Sequence, residues 1–360
     1  VRFRDMKREA LQYREIAQRL RGGEASRGTA VTEAKDASAT SAGSDAQTLS
    51  RRDGPRGELD GIIHSLVHTS TLTWSDIGGL DETKSDIKYT LGVSLAQPPE
   101  GVNVGLWRNM LFYGPPGTGK TILAAATSHA LRTERGRALF FNVKVSNVMS
   151  KYFGESAKII SELYGAARDH SPSVVFLDEF ESLSPKRTDE STGAERRILS
   201  TILAELDGLA EKGRRDLFVL TIAATNRPWD IDPAVLSSYE MKILIPLPDA
   251  PARDAILRIL LDGQGYHVEG DRLDLVRATE GYSGREIERL CKEAIGRMVR
   301  DLNRDLPRLV DEGLDRVRRY RLKIRPLSVA DFAPALESIA PATSRADMQR
   351  YVEWREQTDA

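Results

Sequence analysis

Eight consecutive residues carry the clearest chemical pattern in the chain, Gly114-Pro115-Pro116-Gly117-Thr118-Gly119-Lys120-Thr121. A glycine, four residues and then Gly-Lys-Thr is the spacing of a phosphate-binding loop. Glycines let backbone N–H groups close around phosphate oxygens, and a following helix adds the positive end of its dipole. We therefore expect Lys120 to reach the β- and γ-phosphates of a nucleotide, and Thr121 to give its hydroxyl to Mg²⁺.

The residues on either side of this loop predict the elements that would position it. Met110–Tyr113 is an apolar run typical of a buried strand, and Ile122 begins an apolar helical stretch. The alternative is a glycine-rich turn without a ligand, but every motif position is filled and both flanks fit. The residues predicted to hold the phosphates are Pro115, Pro116, Gly117, Thr118, Gly119, Lys120, Thr121 and Ile122.

Two further apolar runs end in polar residues that could act on a bound nucleotide. Val174–Leu177 is followed by Asp178 and Glu179, and the run 221–225 is followed by Asn226. Because unpaired charge at a buried strand end is costly, the two acids favour a functional role over a capped strand end. Asp178 is predicted to hold Mg²⁺ through water, and Glu179 to orient and polarise the attacking water. Asn226 is predicted to hydrogen-bond the γ-phosphate or that water, although Asn in this position is usually a turn residue.

The bulk composition argues against several other classes of protein. The 360 residues have an ordinary apolar content and a net charge of −1, which favours neither nucleic acid nor a membrane as partner. No apolar run is long enough to cross a bilayer, and no signal-peptide pattern opens the chain. The single cysteine, Cys291, lies in a helical apolar pattern. We expect it to be a small core residue of a cytoplasmic protein.

The pattern along the chain predicts four regions. Residues 1–21 are predicted to form an amphipathic helix and residues 22–57 a flexible linker, because the latter lack large apolar side chains. In 58–248, strand-like runs alternate with helical stretches, which predicts an α/β domain with a parallel sheet, helices on both faces and ligand at the carboxyl ends of the strands. Residues 249–360 are predicted to be a small all-α lid with a C-terminal helix. The predicted strands are Met110–Tyr113, Leu139–Val143, Val174–Leu177, Leu217–Thr225 and Met241–Ile245.

Several segments together resemble AAA ATPases of the meiotic clade, which includes katanin, spastin, fidgetin and the ESCRT-III-disassembling vacuolar sorting ATPase. Archaeal cell-division ATPases are similar. The segments that carry the resemblance are Trp74–Leu80, Gly114–Thr121, Asp178-Glu179, Ala224–Pro228, Ile245–Pro248, Gly281–Gly284 and Ser328–Trp354. The resemblance implies a P-loop NTPase that uses ATP and Mg²⁺ and assembles as a homo-oligomer, a hexameric ring.

The resemblance also implies roles for residues outside the phosphate loop. Asn226 matches the polar sensor residue of the family. The residues matched to the adenine pocket are Asp76, Ile77, Gly78 and, in the lid, Gly284. The residues matched to the first pore loop are Lys151, Tyr152 and Phe153. In the family this loop faces a central channel, where stacked aromatic rings hold an extended polypeptide. The alternative for the two aromatic residues is ordinary core at a loop edge.

One position departs from the family pattern. Adjacent arginines that reach the neighbouring subunit's nucleotide are expected shortly before Ile245–Pro248, but Ser237 and Ser238 stand there. An arginine supplied in trans is worth about 10³–10⁵ in rate, and serine cannot replace its charge. Arg196, Arg197 and Lys242 are the candidates to stand in, and we expect Arg197 to do so.

The predicted function is an ATP-driven motor that pulls polypeptide through a pore to remodel or disassemble a protein polymer. An ESCRT-III-like filament is the first substrate class, because residues 10–20 resemble the last helix of a MIT domain. Microtubule severing of the katanin or spastin type is the alternative. A nucleotide-gated scaffold with weak hydrolysis is a further alternative, favoured by the missing arginines. A nucleic-acid helicase is disfavoured, since there is no basic stripe with interleaved aromatic residues.

Overall fold

The computed structural model describes most of the chain from residue 61 to residue 359. The residues outside this description are 1–60, 64, 69, 101, 103–106, 134–135, 152–154, 184–192, 209–216 and 360. The predicted N-terminal helix and linker therefore lie outside the described residues. So do Tyr152 and Phe153 of the predicted pore loop and the side chain of Lys151.

A six-stranded sheet organises the described part of the chain. Six of the described strands form this sheet, and the other four form two short pairs, β3–β4 and β9–β10. The strands are β1 Val67–His68, β2 Asn109–Tyr113, β3 Arg132–Thr133, β4 Gly136–Arg137, β5 Leu139–Lys144, β6 Ser173–Asp178, β7 Val219–Thr225, β8 Met241–Leu244, β9 Val268–Glu269 and β10 Leu327–Ser328. The large sheet has the order β1-β5-β6-β7-β2-β8, and all its neighbours are parallel except the edge pair β1–β5. The predicted parallel sheet is confirmed, and its strand boundaries shift by one or two residues.

Helices cover both faces of this sheet, as the alternation of elements predicts. The helices of the described residues, those of the lid included, are α1 Asp81–Leu95, α2 Lys120–Ala130, α3 Val145–Lys151, α4 Ser156–Asp169, α5 Gly193–Leu206, α6 Pro233–Leu236, α7 Ala250–Leu260, α8 Arg272–Ala278, α9 Gly284–Leu302, α10 Leu306–Asp311, α11 Leu314–Arg319, α12 Ala333–Ser338 and α13 Arg345–Asp359. The central strand β2 shows why two layers form. Leu111 and Tyr113 point into one apolar core with α4 and α5, whereas Met110 and Phe112 point into another with α1 and α2.

The lid begins after β8 and has its own apolar core. Asp249 caps α7 by accepting the Ala252 N–H at 2.8 Å, and Ser283 with Glu286 forms a capping box at the start of α9. Cys291 is buried in this core, and burial raises the pKa of its thiol to about 12, so the predicted core role is confirmed. The prediction that the lid is all-α is wrong at one place, because the two-residue strands β9 and β10 pair in parallel within it.

The C-terminal helix α13 returns to the α/β domain. Tyr351 and Trp354 are buried in the same core as Tyr113. The Trp354 ring packs edge-on against the Tyr113 ring with centroids 4.6 Å apart. The last helix therefore touches the strand that leads directly into the glycine-rich loop.

Candidate functional site: a phosphate-binding loop at the strand ends

The glycine-rich loop joins the end of β2 to the start of α2. Gly114, Gly117 and Gly119 have φ of 146°, 80° and 98°, a region in which side chains are strained. At Gly114 a Cβ would also lie 2.2 Å from the carbonyl oxygen of Ile245. The loop conformation therefore requires these glycines, and it leads the chain into the N-terminus of α2, where backbone N–H groups attract anions.

Lys120 lies buried at the first turn of α2. Its Nζ donates to the carbonyl oxygens of Gly114 at 2.9 Å and Pro115 at 2.7 Å. Burial lowers the pKa of Lys120 to about 8, and the charges of Asp178 and Glu181 oppose that shift. The ammonium group thus lies within the loop and within electrostatic reach of the acid at the end of β6.

The other predicted phosphate-loop residues lie around Lys120. The Thr118 hydroxyl donates to the carbonyl oxygen of Pro115 at 3.0 Å. Thr121 and Ile122 are exposed on the first turn of α2. An exposed threonine hydroxyl at this position is able to act as an oxygen ligand for Mg²⁺.

Asp178 and Glu179 follow the buried strand β6, as predicted. Burial raises the pKa of Asp178, and the charge of Lys120 counteracts this. Asp178 Oδ1 accepts the backbone N–H of Glu179 at 2.9 Å. Glu179 has a φ of 54°, which is uncommon for a residue with a side chain and marks a sharp turn at the strand end. The structure therefore brings Lys120 and Asp178 together and turns Glu179 in a different direction.

Two residues that the sequence analysis missed hold the Glu179 carboxylate. Lys144 Nζ lies 2.8 Å from Glu179 Oε1, and the Ser146 hydroxyl donates to Glu179 Oε2 at 2.7 Å. The bonds from Lys144 and Ser146 lower the pKa of Glu179 and keep it ionised. The sequence signal was incomplete: Lys144 directly follows the predicted strand Leu139–Val143, but only the register of β5 and β6 places it beside the end of β6.

Asn226 lies immediately after β7, and its backbone is held on both sides. Its N–H donates to Glu181 Oε1 at 3.4 Å, and its carbonyl oxygen accepts the Tyr351 hydroxyl at 2.5 Å. Glu181 Oε2 is buried and has no hydrogen-bond partner among the described residues. Glu181 and Tyr351 were also missed, because only the fold brings them to the end of β7.

The segment predicted to line the adenine lies beside the lid. The carboxylate of Asp76 accepts the Thr73 N–H at 2.7 Å, and the carbonyl oxygen of Ile77 accepts Lys84 Nζ at 2.7 Å. A Cβ at Gly78 would lie 2.6 Å from the backbone nitrogen of Ile256 in α7. A cavity of about 480 Å³ opens here, and its described lining includes Ile77 and Gly78 but none of the glycine-rich loop.

The lid touches the glycine-rich loop directly. The Arg285 N–H, in the first turn of α9, donates to the carbonyl oxygen of Gly117 at 3.1 Å. A Cβ at Gly117 would lie 2.8 Å from Ser283 Oγ, and one at Gly284 would lie 3.5 Å from the Gly117 carbonyl oxygen. The predicted lid residue Gly284 therefore lies beside the phosphate loop.

The remaining predicted residues belong to the predicted pore loop and to the predicted subunit boundary. Lys151 ends α3, while Tyr152 and Phe153 lie outside the described residues. Arg196 and Arg197 are exposed on the first turns of α5. At the position of the missing arginines, the Ser237 hydroxyl donates to the Ala234 carbonyl oxygen at 2.7 Å. None of the described helices is both long enough and apolar enough to span a bilayer.

The fold and the site together define the class of P-loop nucleotide-binding proteins. The features of this class are the parallel sheet, the glycine-rich loop before α2, the buried lysine beside that loop and the acids at the end of β6. The family can be stated as well. Residues 110–247 match the model of the ATPase family associated with various cellular activities, AAA. Residues 110–247 therefore form an AAA domain, and the relatives of the chain are consistent with the meiotic clade.

The relatives and solved structures agree on this family. The chain is 33% identical to spastin of Naegleria gruberi over 83% of its own length and 55% of that protein. It is 32% identical to the A1 form of the katanin p60 ATPase-containing protein of Arabidopsis thaliana (84% of this chain, 58% of that protein). Its identity to the human A-like 1 form of the same katanin protein is 35% (79% and 57%). The chain thus spans somewhat more than half the length of these relatives.

The FIGL-1 AAA domain is similar in structure. Its crystal structure superposes with a TM-score of 0.68 at 28% identity, covering 85% of this chain and 99% of that domain. The same domain in complex with ADP gives a TM-score of 0.67, also at 28% identity, with 84% and 96% covered.

Proposed function

We propose that this chain binds ATP with Mg²⁺ at the glycine-rich loop and hydrolyses it to ADP and phosphate. The observation that carries the proposal is the joint placement of Lys120 and Asp178 beside a loop whose positive-φ glycines lead into the N-terminus of α2. Thr121 and Asp178 would hold the metal, which supplies neutralising charge on the phosphate oxygens. Lys120 would exchange its two carbonyl partners for the β- and γ-phosphates.

Glu179 would act as the group that orients and polarises the attacking water. Its carboxylate is ionised and therefore able to accept a proton. Asn226 would fix the water or the γ-phosphate from the end of β7. The adenine base would be surrounded by Asp76, Ile77, Gly78 and Gly284. The Asp76 carboxylate already accepts bonds from the N–H and the hydroxyl of Thr73, so mainly backbone groups of this segment would face the base.

We further propose that ATP hydrolysis drives remodelling of a protein polymer by a ring of identical subunits in the cytoplasm. The family and the similarity to spastin and katanin support a remodelling motor in general. Lys151, Tyr152 and Phe153 would grip the polypeptide in a hexameric pore. An ESCRT-III-like filament is the first candidate substrate.

A microtubule is the second candidate, and the similarity to spastin and katanin favours it. A Glu179→Gln variant that binds ATP without turnover should trap the ring on its polymer. We would sediment this variant with ESCRT-III-like filaments or with microtubules, in ATP and in ADP. ATP-dependent co-sedimentation with one polymer identifies the substrate class, whereas failure with both polymers contradicts the proposal of polymer remodelling.

A nucleotide-gated scaffold with weak hydrolysis is the competing function. The serines at 237 and 238 favour it, because they provide no cation for a neighbouring nucleotide. We propose that Arg197 provides that cation in trans. Arg197→Ala should lower phosphate release by the assembled ring by at least about a hundredfold, while exposed Arg308→Ala leaves it unchanged. Equal turnover of the two variants would remove Arg197 from this role.

A further inference from the structure

A stretch of the lid leads from α11 into β10 over the surface of the domain. It comprises residues 320–326, and we call it the lid edge. Its first residue, Tyr320, has an extended backbone, with φ of −74° and ψ of 130°. Residues 321–326 are all exposed, and none of them pairs with a strand in the described part of the chain. An exposed extended segment of this kind can accept a further strand.

One side of the lid-edge backbone is already bonded. Both backbone groups of Lys323 bond to the side-chain amide of Asn303: the N–H donates to Oδ1 at 2.8 Å, and the carbonyl oxygen accepts from Nδ2 at 2.9 Å. In an extended chain the backbone groups of adjacent residues point to opposite edges. Those of Leu322 and Ile324 therefore point away from Asn303, and no hydrogen bond to them occurs among the described residues.

The side chains of the lid edge alternate between apolar groups and cations. Leu322 and Ile324 share one face of the extended chain, and each is 58% exposed. Arg321 and Lys323 lie on the opposite face. A strand that paired with this edge would therefore meet two different surfaces, one apolar and one positively charged.

The positive charge of this region exceeds that of its acidic neighbours. Residues 316–325 contain six lysines and arginines and no acid, in a chain whose net charge is −1. Three of the six pair with nearby acids; the pairs are Arg316–Glu312, Arg318–Asp315 and Arg325–Asp331. The other three, Arg319, Arg321 and Lys323, form no ion pair with any described carboxylate. The complementary partner is therefore acidic.

A nucleic acid fits this edge less well than a peptide. Single strands are held by stacking on aromatic rings, and the lid edge has one such ring, Tyr320. The Tyr320 hydroxyl donates to Asn303 Oδ1 at 3.0 Å, which holds this ring beside Asn303. A row of backbone N–H and C=O groups is instead matched by another polypeptide backbone.

We propose that the lid edge binds an extended acidic peptide of a partner protein, which adds to it as a strand. The peptide backbone bonds to Leu322 and Ile324, and its acidic side chains pair with Arg321 and Lys323. Residues opposite each other across two strands lie on the same face, so acidic and apolar residues must alternate in the peptide. The inference is independent of the ATP site.

The test measures binding of a defined peptide to the full chain. A dye-labelled synthetic peptide of about seven residues, in which glutamate and valine alternate, would be titrated into the protein and followed by fluorescence anisotropy. A second peptide has the same sequence with methylated backbone nitrogens, so it keeps its charge but cannot donate from its backbone. We expect the methylated peptide to bind at least about tenfold more weakly.

Variants of the lid edge separate the contributions of charge and apolar contact. Arg321→Glu should weaken peptide binding by about tenfold or more, and so should Leu322→Ser combined with Ile324→Ser. The matched controls are Arg289→Glu on α9 and Leu273→Ser on α8, both at exposed residues, and they should bind as the parent does. Thermal unfolding midpoints should stay unchanged, because all the substituted side chains are exposed.

Four results would overturn the proposal. A parent protein that does not bind the unmethylated peptide would refute the site. Equal binding of the methylated peptide would leave charge attraction alone, without strand pairing. Single-stranded oligothymidine that binds as tightly as the peptide would assign the edge to nucleic acid. Peptide-free dimers that are lost in the Leu322→Ser, Ile324→Ser protein would assign it to a second copy of this chain.

Discussion

Lys144 and Glu179 form an ion pair across two neighbouring parallel strands, with Nζ 2.8 Å from Oε1. The pair holds the carboxylate that is proposed to polarise the attacking water. Together with the Ser146 hydroxyl, it lowers the pKa of that carboxylate. The orientation of Glu179 is therefore controlled by a residue on the strand that leads toward the predicted pore loop.

Removal of Lys144 should change the pH dependence of hydrolysis. Without its ammonium group the pKa of Glu179 rises, so the base is protonated at a higher pH than in the parent. In Lys144→Met we expect the acid limb of kcat/KM against pH to move upward, while Lys158→Met, an exposed lysine on α4, leaves it in place. An unmoved acid limb in Lys144→Met would show that the ion pair does not act on the catalytic carboxylate.

ATP affinity should fall with pH above about 8. The pKa of Lys120 is lowered to about 8, so above this pH the neutral amine must take up a proton to bind phosphate. The dissociation constant of ATP should rise by up to about tenfold per pH unit between pH 8 and 9.5. Lys120→Arg stays charged and should bind with little pH dependence over this range. A parent protein with constant affinity up to pH 9.5 would contradict the assignment of Lys120.

Two glycine substitutions should change stability in opposite directions. Gly79 has a φ of 70°, and a Cβ there would lie 2.2 Å from the Cβ of Ala252, so Gly79→Ala forces α7 away from the adenine segment. We expect a loss of at least about 2 kcal/mol. Gly92 lies inside α1 with nothing within 4 Å of its added Cβ, so Gly92→Ala should gain about 0.5–1 kcal/mol. Urea unfolding of both variants measures the difference, and a stable Gly79→Ala protein would argue against the close lid contact.

The contact of α13 with the site should contribute measurable stability. Trp354→Ala removes a ring packed against Tyr113 and should cost about 3–5 kcal/mol. Tyr351→Phe removes only the hydroxyl that donates to the Asn226 carbonyl oxygen and should cost about 1 kcal/mol. Val352 is 37% exposed on the same helix, and Val352→Ala should change stability by less than about 0.5 kcal/mol. Equal unfolding midpoints for Trp354→Ala and Val352→Ala would contradict this packing.

The sequence predicted what depends on local pattern. The glycine spacing around Lys120 and the apolar runs of the five long parallel strands are local signals, and they are confirmed in the fold. The edge strand Val67–His68 and the pair β9–β10 are two residues long each, too short for a periodic signal.

Long-range side-chain pairs could not be read from local pattern. The bond from Tyr351 to Asn226 joins residues 125 apart in the chain, and the Lys144–Glu179 pair depends on the register of two strands. The direction of Glu179 depends on a positive φ that the sequence does not signal. The sequence thus predicted which residues lie at the ends of the strands. The structure was needed to show which of them form hydrogen bonds or ion pairs with each other.

Phosphate release by the assembled protein, compared between the parent and Glu179→Gln, tests the central claim most directly. We predict that the parent hydrolyses ATP and that the variant is at least about a hundredfold slower while it still binds ATP. The variant keeps the size of the side chain and removes its charge, and with it both the ability to accept a proton and the ion pair with Lys144. Equal phosphate release by the two proteins would contradict the account of Glu179 and, with it, the proposed site of ATP hydrolysis.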